Sequence, residues 1–161
     1  MTPTARRTAA ALLLALAAGA ASAETHRLDD SLSHTVPPTA QMQWRPQTRS
    51  DVDGGMEAWV RVNIRIDTQA WIGRSGRVYM VLPRDESATL EAVWTTDGQL
   101  LAGRLVSGER ALVYAGPISA GTLSDQMLVR LRSGPDWQSA SRRLHFHFEI
   151  DTDSTPGTQR P

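Results

Sequence analysis

The residues best suited to chemistry lie close together near the end of the chain, in His145-Phe146-His147-Phe148-Glu149. In an extended strand, residues two apart project from the same face, with Cβ atoms about 7 Å apart. Two imidazoles and a carboxylate would then line one side of the strand, and this ligand set suits zinc or copper. The alternative is that these polar residues form the solvent-facing side of an ordinary sheet. His145, His147 and Glu149 are therefore candidate metal ligands.

No motif typical of a catalytic site occurs elsewhere in the sequence. The chain has no cysteine, which excludes disulfides, thiol nucleophiles and cysteine-ligated metal clusters. It also has no lysine, so all 17 basic residues are arginines and Schiff-base chemistry is excluded. No Gly-x-Ser-x-Gly nucleophile elbow is present. We expect a protein that is not an enzyme, with no catalytic residues and, outside the zinc or copper hypothesis, no cofactor.

The first 23 residues, 1–23, have the three parts of a secretory signal peptide. Arg6 and Arg7 supply positive charge, an apolar run follows over 9–18, and small residues end at Ala23. The run is shorter than the roughly 20 apolar residues of a membrane-spanning helix, and no later stretch reaches that length. We expect cleavage near Ala23, no transmembrane segment in the mature chain, and localisation in the periplasm, outside the cell or on its surface.

Cleavage would change the size and charge of the chain. It would leave 138 of the 161 residues, with 15 arginines against 17 acidic residues and a net charge of −2. This length suits one domain that folds without covalent cross-links. A slightly acidic chain lacks the overall positive field that nucleic-acid binding needs, so we expect a protein partner rather than a nucleic acid.

The mature chain divides into three parts by composition. Residues 24–55 are polar and contain Pro37-Pro38 and Pro46, which predicts an extended N-terminal arm or linker. Residues 153–161 are rich in proline, glycine and threonine and are predicted to be disordered. The segment between them, 56–152, is predicted to be the folded domain.

Apolar and polar residues alternate along 56–152 with the period of two that half-buried strands show. In the first strand the apolar set is Ala58, Val60, Val62, Ile64 and Ile66. Together with this strand, 58–67, the predicted strands are 77–82, 89–94, 100–106, 111–115, 127–132 and 144–151. Asp97-Gly98 predicts a tight hairpin turn with positive φ angles.

About seven short strands without an amphipathic helix predict an all-β fold. The economical arrangement is an antiparallel two-sheet immunoglobulin-like sandwich, with a small β-barrel as the alternative. Because no disulfide can join the sheets, packing must hold them, and we expect core positions for some of Trp59, Trp71, Trp94 and Trp137.

The polar side of the first strand carries Trp59, Arg61 and Arg65. Tryptophan and arginine are enriched at the centres of protein contacts, because the indole is large and the guanidinium both stacks and forms bidentate hydrogen bonds. These three residues are the candidate interaction surface. The alternative for Trp59 is burial beneath the N-terminal arm.

These features together favour a non-catalytic, secreted structural or interaction module of the bacterial cell envelope. Candidate roles are a fimbrial (pilus) subunit or an accessory of assembly or cell adhesion, with the arm donated to a neighbour by β-augmentation. The alternative is a periplasmic metal-binding protein that uses the His-x-His-x-Glu strand. The oligomeric state stays open.

Overall fold

The computed structural model describes residues 24–45, 55–84, 90–134, 141–142 and 145–152. Apart from a short 3₁₀ turn over Gln69–Trp71, its regular structure is entirely strand: β1 Glu24–Arg27, β2 His34–Val36, β3 Ala40–Gln41, β4 Gln43–Trp44, β5 Met56–Asp67, β6 Ser75–Val81, β7 Leu90–Thr96, β8 Gly103–Val106, β9 Arg110–Pro117, β10 Thr122–Ser133, β11 Ser141–Arg142 and β12 His147–Thr152. The all-β prediction is confirmed, and each of the predicted strands has an observed counterpart. The predicted signal peptide 1–23, the tail 153–161 and Trp137 lie outside the described residues.

Two antiparallel sheets pack face to face. The smaller sheet has the strand order β1-β12-β6-β9, and the larger sheet has the order β2-β5-β10-β7-β8, with β4 also on β5. β3 and β11 form a separate pair. The sheets do not close on each other, so the two-sheet sandwich is confirmed and the barrel alternative is wrong.

The core follows from the alternation along β5 and β10. The even-numbered residues of β5 from Ala58 to Ile66 are at most 5% exposed. In β10, Met127 and Val129 lie directly opposite Val62 and Val60, so their side chains share the inward face. Phe148 and Ile150 are fully buried from the other sheet. Burial of each such side chain stabilises the fold by about 1.5–3 kcal/mol.

Trp94 is the tryptophan that fills the core, as the sequence led us to expect of at least one. It is 2% exposed, and its indole Nε1 donates a hydrogen bond to the carbonyl oxygen of Leu101 at 2.9 Å. Because that polar atom has a partner, the large ring is buried without an unsatisfied donor. Trp59 is 54% exposed, so the N-terminal segment does not cover it.

Residues 24–45 belong to the sandwich, although the sequence placed them in an arm or linker of 24–55. β1 pairs with β12 from Glu24 opposite Thr152 to Arg27 opposite Glu149, and β2 pairs with β5. Between them Leu28 is only 4% exposed, and its amide donates to the carbonyl of Phe148. Short edge strands can be held by backbone hydrogen bonds alone. Their side chains are therefore mostly polar and do not show the alternation of apolar and polar residues that predicts a strand.

The tight turn predicted at Asp97-Gly98 is wrong. β7 and β8 are joined by the wider loop 97–102, and Gly98 does not have a positive φ. The carboxylate of Asp125 holds this loop by accepting a hydrogen bond from the Leu100 amide at 2.7 Å. A Cβ on Gly98 would lie 2.7 Å from Asp125 Oδ1, so glycine permits this close approach.

Candidate functional site

The outward side of β5 and β10 presents apolar and cationic side chains next to one another. The two strands pair along all twelve residues, which places Trp59 opposite Arg130 and Arg61 opposite Leu128. β2 adds Val36, opposite Arg61 on its other side. We call these five residues, Val36, Trp59, Arg61, Leu128 and Arg130, the outer patch. Its three apolar side chains are 47%, 54% and 42% exposed for Val36, Trp59 and Leu128, so the apolar surface is open to solvent.

Neighbouring side chains hold the indole of Trp59 in place. Its Nε1 donates a hydrogen bond to Glu57 Oε1 at 3.1 Å, and the Arg130 guanidinium lies 5.6 Å from the ring centroid. The cation is attracted to the negative face of the ring. A side chain that is already ordered loses less conformational freedom when a partner covers it.

Glu57 lies among several arginines at this end of the sheet. Its Oε2 is 3.3 Å from Arg132 Nε, 3.4 Å from Arg45 Nε and 3.9 Å from Arg130 Nε. One carboxylate therefore holds three guanidinium groups and orders the side chains around Trp59 at this end of the face.

Among the described residues, Arg61 and Arg65 have no such neutralising partner. Neither guanidinium makes an ion pair or side-chain hydrogen bond in the described part of the chain. Arg65 is separated from Arg61 by about 13 Å along β5, so it lies beyond the outer patch. It lines a cleft of about 610 Å³ together with Leu32, His34, Asn63, Ile64, Ser124 and Asp125. Of the sequence-predicted surface, Trp59 and Arg61 are thus adjacent and Arg65 lies further along the same strand.

A row of hydrogen bonds crosses three strands between Arg61 and Arg65. Gln126 Nε2 donates to Asn63 Oδ1 at 2.9 Å, and Asn63 Nδ2 donates to His34 Nε2 at 3.0 Å. Since His34 Nε2 accepts, its proton is on Nδ1, which donates to the carbonyl of Leu32 at 3.3 Å. The row fastens β2 to β5, and it thereby fixes the position of Val36 in the outer patch.

The candidate metal ligands are brought together only in part. His147 Nε2 lies 3.2 Å from Glu149 Oε1, whereas His145 precedes β12 and lines a different cleft, of about 340 Å³, with Asp30 and His34. Arg110 also lies 3.9 Å from Glu149, and its positive charge disfavours a nearby cation. Across the described ranges, no group of three or more histidine, aspartate or glutamate side chains is arranged to hold a metal ion. Binding of zinc or copper by this strand stays a prediction.

No family model, curated protein or solved structure matches this chain. The part of the chain that the structure describes contains no helix long and apolar enough to cross a membrane. The function is therefore inferred from the chemistry of the outer patch and its surroundings.

Sequence reasoning did not place Val36, Leu128 or Arg130 beside Trp59 and Arg61, and it missed Glu57 as a neighbour of Trp59. The alternation along 127–132 marks Leu128 and Arg130 as outward-facing, as the alternation along β5 does for Trp59 and Arg61. The register that places them beside Trp59 depends on long-range pairing between β5 and β10, which the alternation does not specify.

Proposed function

We propose that this protein is a non-catalytic interaction module of the bacterial cell envelope and that it docks a protein partner on the outer patch. The observation that carries the proposal is the exposure of Trp59 and Leu128 at diagonally neighbouring positions of β5 and β10, with Arg61 and Arg130 on the other diagonal. Contiguous exposed apolar surface marks interaction sites, and tryptophan with arginine dominates the energetics of such contacts. The signal-peptide pattern of residues 1–23 supports the envelope and secretion.

Site-specific photo-crosslinking in the producing cell tests the docking surface. A photoreactive side chain at Trp59 and, separately, at Leu128 should give an adduct with the same partner. Leu112, 37% exposed on β9 of the smaller sheet, is the matched control and should give none. Equal labelling from all three positions, or different proteins from Trp59 and Leu128, would contradict the proposal.

Cell fractionation tests the envelope part separately. The mature protein should begin near Glu24 and be found in the periplasm, in the medium or on the cell surface. An uncleaved chain that stays in the cytoplasm would contradict this part of the proposal while leaving the docking surface intact.

A fimbrial or assembly role would use β1 as a strand that is exchanged between copies. β1 is a strand of four residues, and among the described strands it pairs with β12 alone, at the edge of the smaller sheet. The same backbone hydrogen bonds are available to β1 of a second copy, which is the chemistry of strand exchange and β-augmentation. This supports a subunit or assembly accessory as the finer form of the proposal.

A disulfide lock tests strand exchange without deleting β1. Arg27 and Glu149 lie directly opposite each other, at the spacing of about 4.5–5.5 Å between Cα atoms that a disulfide can bridge. Since the chain has no cysteine, the double substitution Arg27→Cys/Glu149→Cys creates a single pair. Oxidised protein should stay monomeric and reduction should restore assembly, while the matched Arg27→Ser/Glu149→Ser protein should assemble in both conditions. Assembly of the oxidised protein would rule out exchange of β1.

A further inference from the structure

Among the strand residues that the structure describes, the outward side of the larger sheet carries more positive than negative side chains, although the whole chain has a formal net charge of zero. By register, its arginines are Arg61, Arg65, Arg104, Arg130 and Arg132, and its acidic residues are Glu57, Asp67 and Glu91. Charge is therefore segregated onto the same face that carries the outer patch. Such a face favours a partner of the opposite charge.

Most of these arginines already have acidic partners. Arg104 pairs with Glu91, and both Arg130 and Arg132 lie beside Glu57. Arg61 and Arg65 have no partner among the described residues, and both are exposed. They point from the same face of β5, so two permanently charged groups are available to one bound surface.

The main chain at Arg65 is held firmly. Its amide donates to Ser33 Oγ at 2.8 Å, and the Ser33 hydroxyl donates to the Arg65 carbonyl at 3.1 Å. In the adjoining cleft, one oxygen of the Asp125 carboxylate accepts the amide hydrogen of Leu100 in the loop 97–102, and the other accepts that of Gln126 on its own strand. Arg65 thus lines an open cleft from a firmly held backbone.

We infer, building on the function proposed above, that the partner presents an acidic segment of polypeptide. Two of its carboxylates form ion pairs with Arg61 and Arg65, while an apolar side chain packs on Trp59 and Leu128. Guanidinium and carboxylate match in bidentate geometry, and the exposed indole requires apolar contact. Nucleobases and sugar rings can also stack on an indole, but the aliphatic side chains of Val36 and Leu128 beside Trp59 favour contact with an apolar side chain, so a polypeptide fits both halves of the surface best.

The geometry also sets the spacing of the acidic groups. Along β5, Arg61 is about 7 Å and Arg65 about 20 Å from Trp59. An extended partner segment advances by a similar distance per residue, so it would carry one apolar residue with acidic residues about two and six positions away. A folded partner would present the same groups at the same distances.

An array of immobilised synthetic peptides tests this chemistry. Each peptide carries one tryptophan or leucine with two glutamates at that spacing, and two matched sets replace both glutamates by serine or by lysine. We expect the protein to bind the glutamate set alone. The substitution Arg61→Glu/Arg65→Glu should weaken this binding by about tenfold or more, while Arg61→Lys/Arg65→Lys should retain part of it. Arg104→Glu is the control on the same face and should have little effect.

Several results would overturn the inference. The first is that the protein binds the serine or lysine set as strongly as the glutamate set. The second is that it binds polygalacturonate as strongly as the peptides, and the third is that it binds no peptide. Circular dichroism checks that each variant is folded. Folding of Arg61→Glu/Arg65→Glu is expected because neither arginine has a partner to lose among the described residues, whereas Arg104→Glu loses its ion pair with Glu91. If the photo-crosslinked adduct at position 59 still forms in the Arg61→Glu/Arg65→Glu protein, the inference of an acidic segment is wrong, while the proposed docking surface is supported. If no adduct forms in the unmodified background, the docking surface itself is wrong.

Discussion

The guanidinium of Arg110 donates two hydrogen bonds to the carboxylate of Asp151, at 3.2 and 3.0 Å. Arg110 lies on β9 and Asp151 on β12, so the pair reaches across β6, where the guanidinium lies 4.2 Å from the centroid of the Tyr79 ring. From β1, the Thr25 hydroxyl donates to the same carboxylate at 2.6 Å. One carboxylate therefore fastens both edge strands of the smaller sheet to β12.

These contacts set the ionisation of the pair. Burial raises the pKa of Asp151, but the hydrogen bonds from Thr25 and Arg110 and the attraction of Arg110 and Arg77 outweigh it, so the pKa lies below its ordinary value of 3.8. The hydrogen bonds from Arg110 to Asp151 in turn raise the pKa of Arg110. The ion pair is formed at any pH at which Asp151 is deprotonated.

Replacing Asp151 by asparagine should lower the free energy of unfolding near neutral pH by about 1.5–3 kcal/mol, the value of hydrogen bonds to a charged group. Urea unfolding measures the change. Glu149→Gln is the control, because Glu149 is more exposed and lies 3.9 Å from Arg110; its loss should be about 0–1 kcal/mol. Equal losses for the two variants would mean that Asp151 does not hold the sheet edges.

The stability that Asp151 confers should decrease as the pH is lowered. Between the lowered pKa of the folded state and 3.8, the unfolded chain binds a proton that the folded chain does not. The free energy of unfolding therefore falls as the pH falls through this window. Urea unfolding at a series of acidic pH values should show a smaller decline in Asp151→Asn than in the unmodified protein. Parallel curves for the two proteins would contradict the assignment.

The contribution of Asp30 to stability should change with pH in the opposite direction. Burial raises its pKa above 3.8, and the nearby charges of Arg27 and His147 offset this only in part. As the pH rises from 3.8 through the raised pKa, the folded state holds a proton that the unfolded chain has lost, so stability decreases. Asp30→Asn should therefore raise the melting temperature near neutral pH and have no effect well below 3.8. A lower melting temperature near neutral pH would show that the charged form is favoured by the fold.

The tryptophans on and inside the larger sheet should respond differently to substitution. Trp94→Phe removes the hydrogen bond to Leu101 and leaves space in the core, so it should lower the free energy of unfolding by about 1–3 kcal/mol. Trp59→Phe should change it by about 0.5 kcal/mol or less, because Trp59 is exposed. Urea unfolding followed by circular dichroism measures both. A large loss for Trp59→Phe would indicate a structural role in place of a binding role.

The sandwich could be predicted because apolar and polar residues alternate in the sequence of a long strand with one buried face. The alternation from Ala58 to Ile66 predicted both the strand and its outward residues. β1 and β2 show no such alternation, because they lie at sheet edges. Of the described residues from β1 to β2, Leu28 alone is buried in the core. Backbone hydrogen bonding, which hardly depends on side-chain type, positions them.

The candidate site could be predicted only as far as it lies on one strand. Trp59 and Arg61 are two positions apart, so their shared face follows from local geometry. Their contacts with Arg130 and Leu128 depend on the register of residues far apart in sequence. The loop at Gly98 could not be predicted for the same reason. Asp125, which lies next to Gly98 and holds the wider loop, comes from a strand far away in the sequence.

The pairing of Glu24 with Thr152 places the first and last residues of the described fold side by side, at the same end of the smaller sheet. A force applied between these two residues would therefore act across the strands and open the β1–β12 hydrogen bonds one after another from that end. A short linker could join the two residues, which would permit circular permutation or insertion of the domain into a loop of a larger protein. In a chain under tension, β1 would be the first part to detach, and the rest of the sandwich would be loaded only after that.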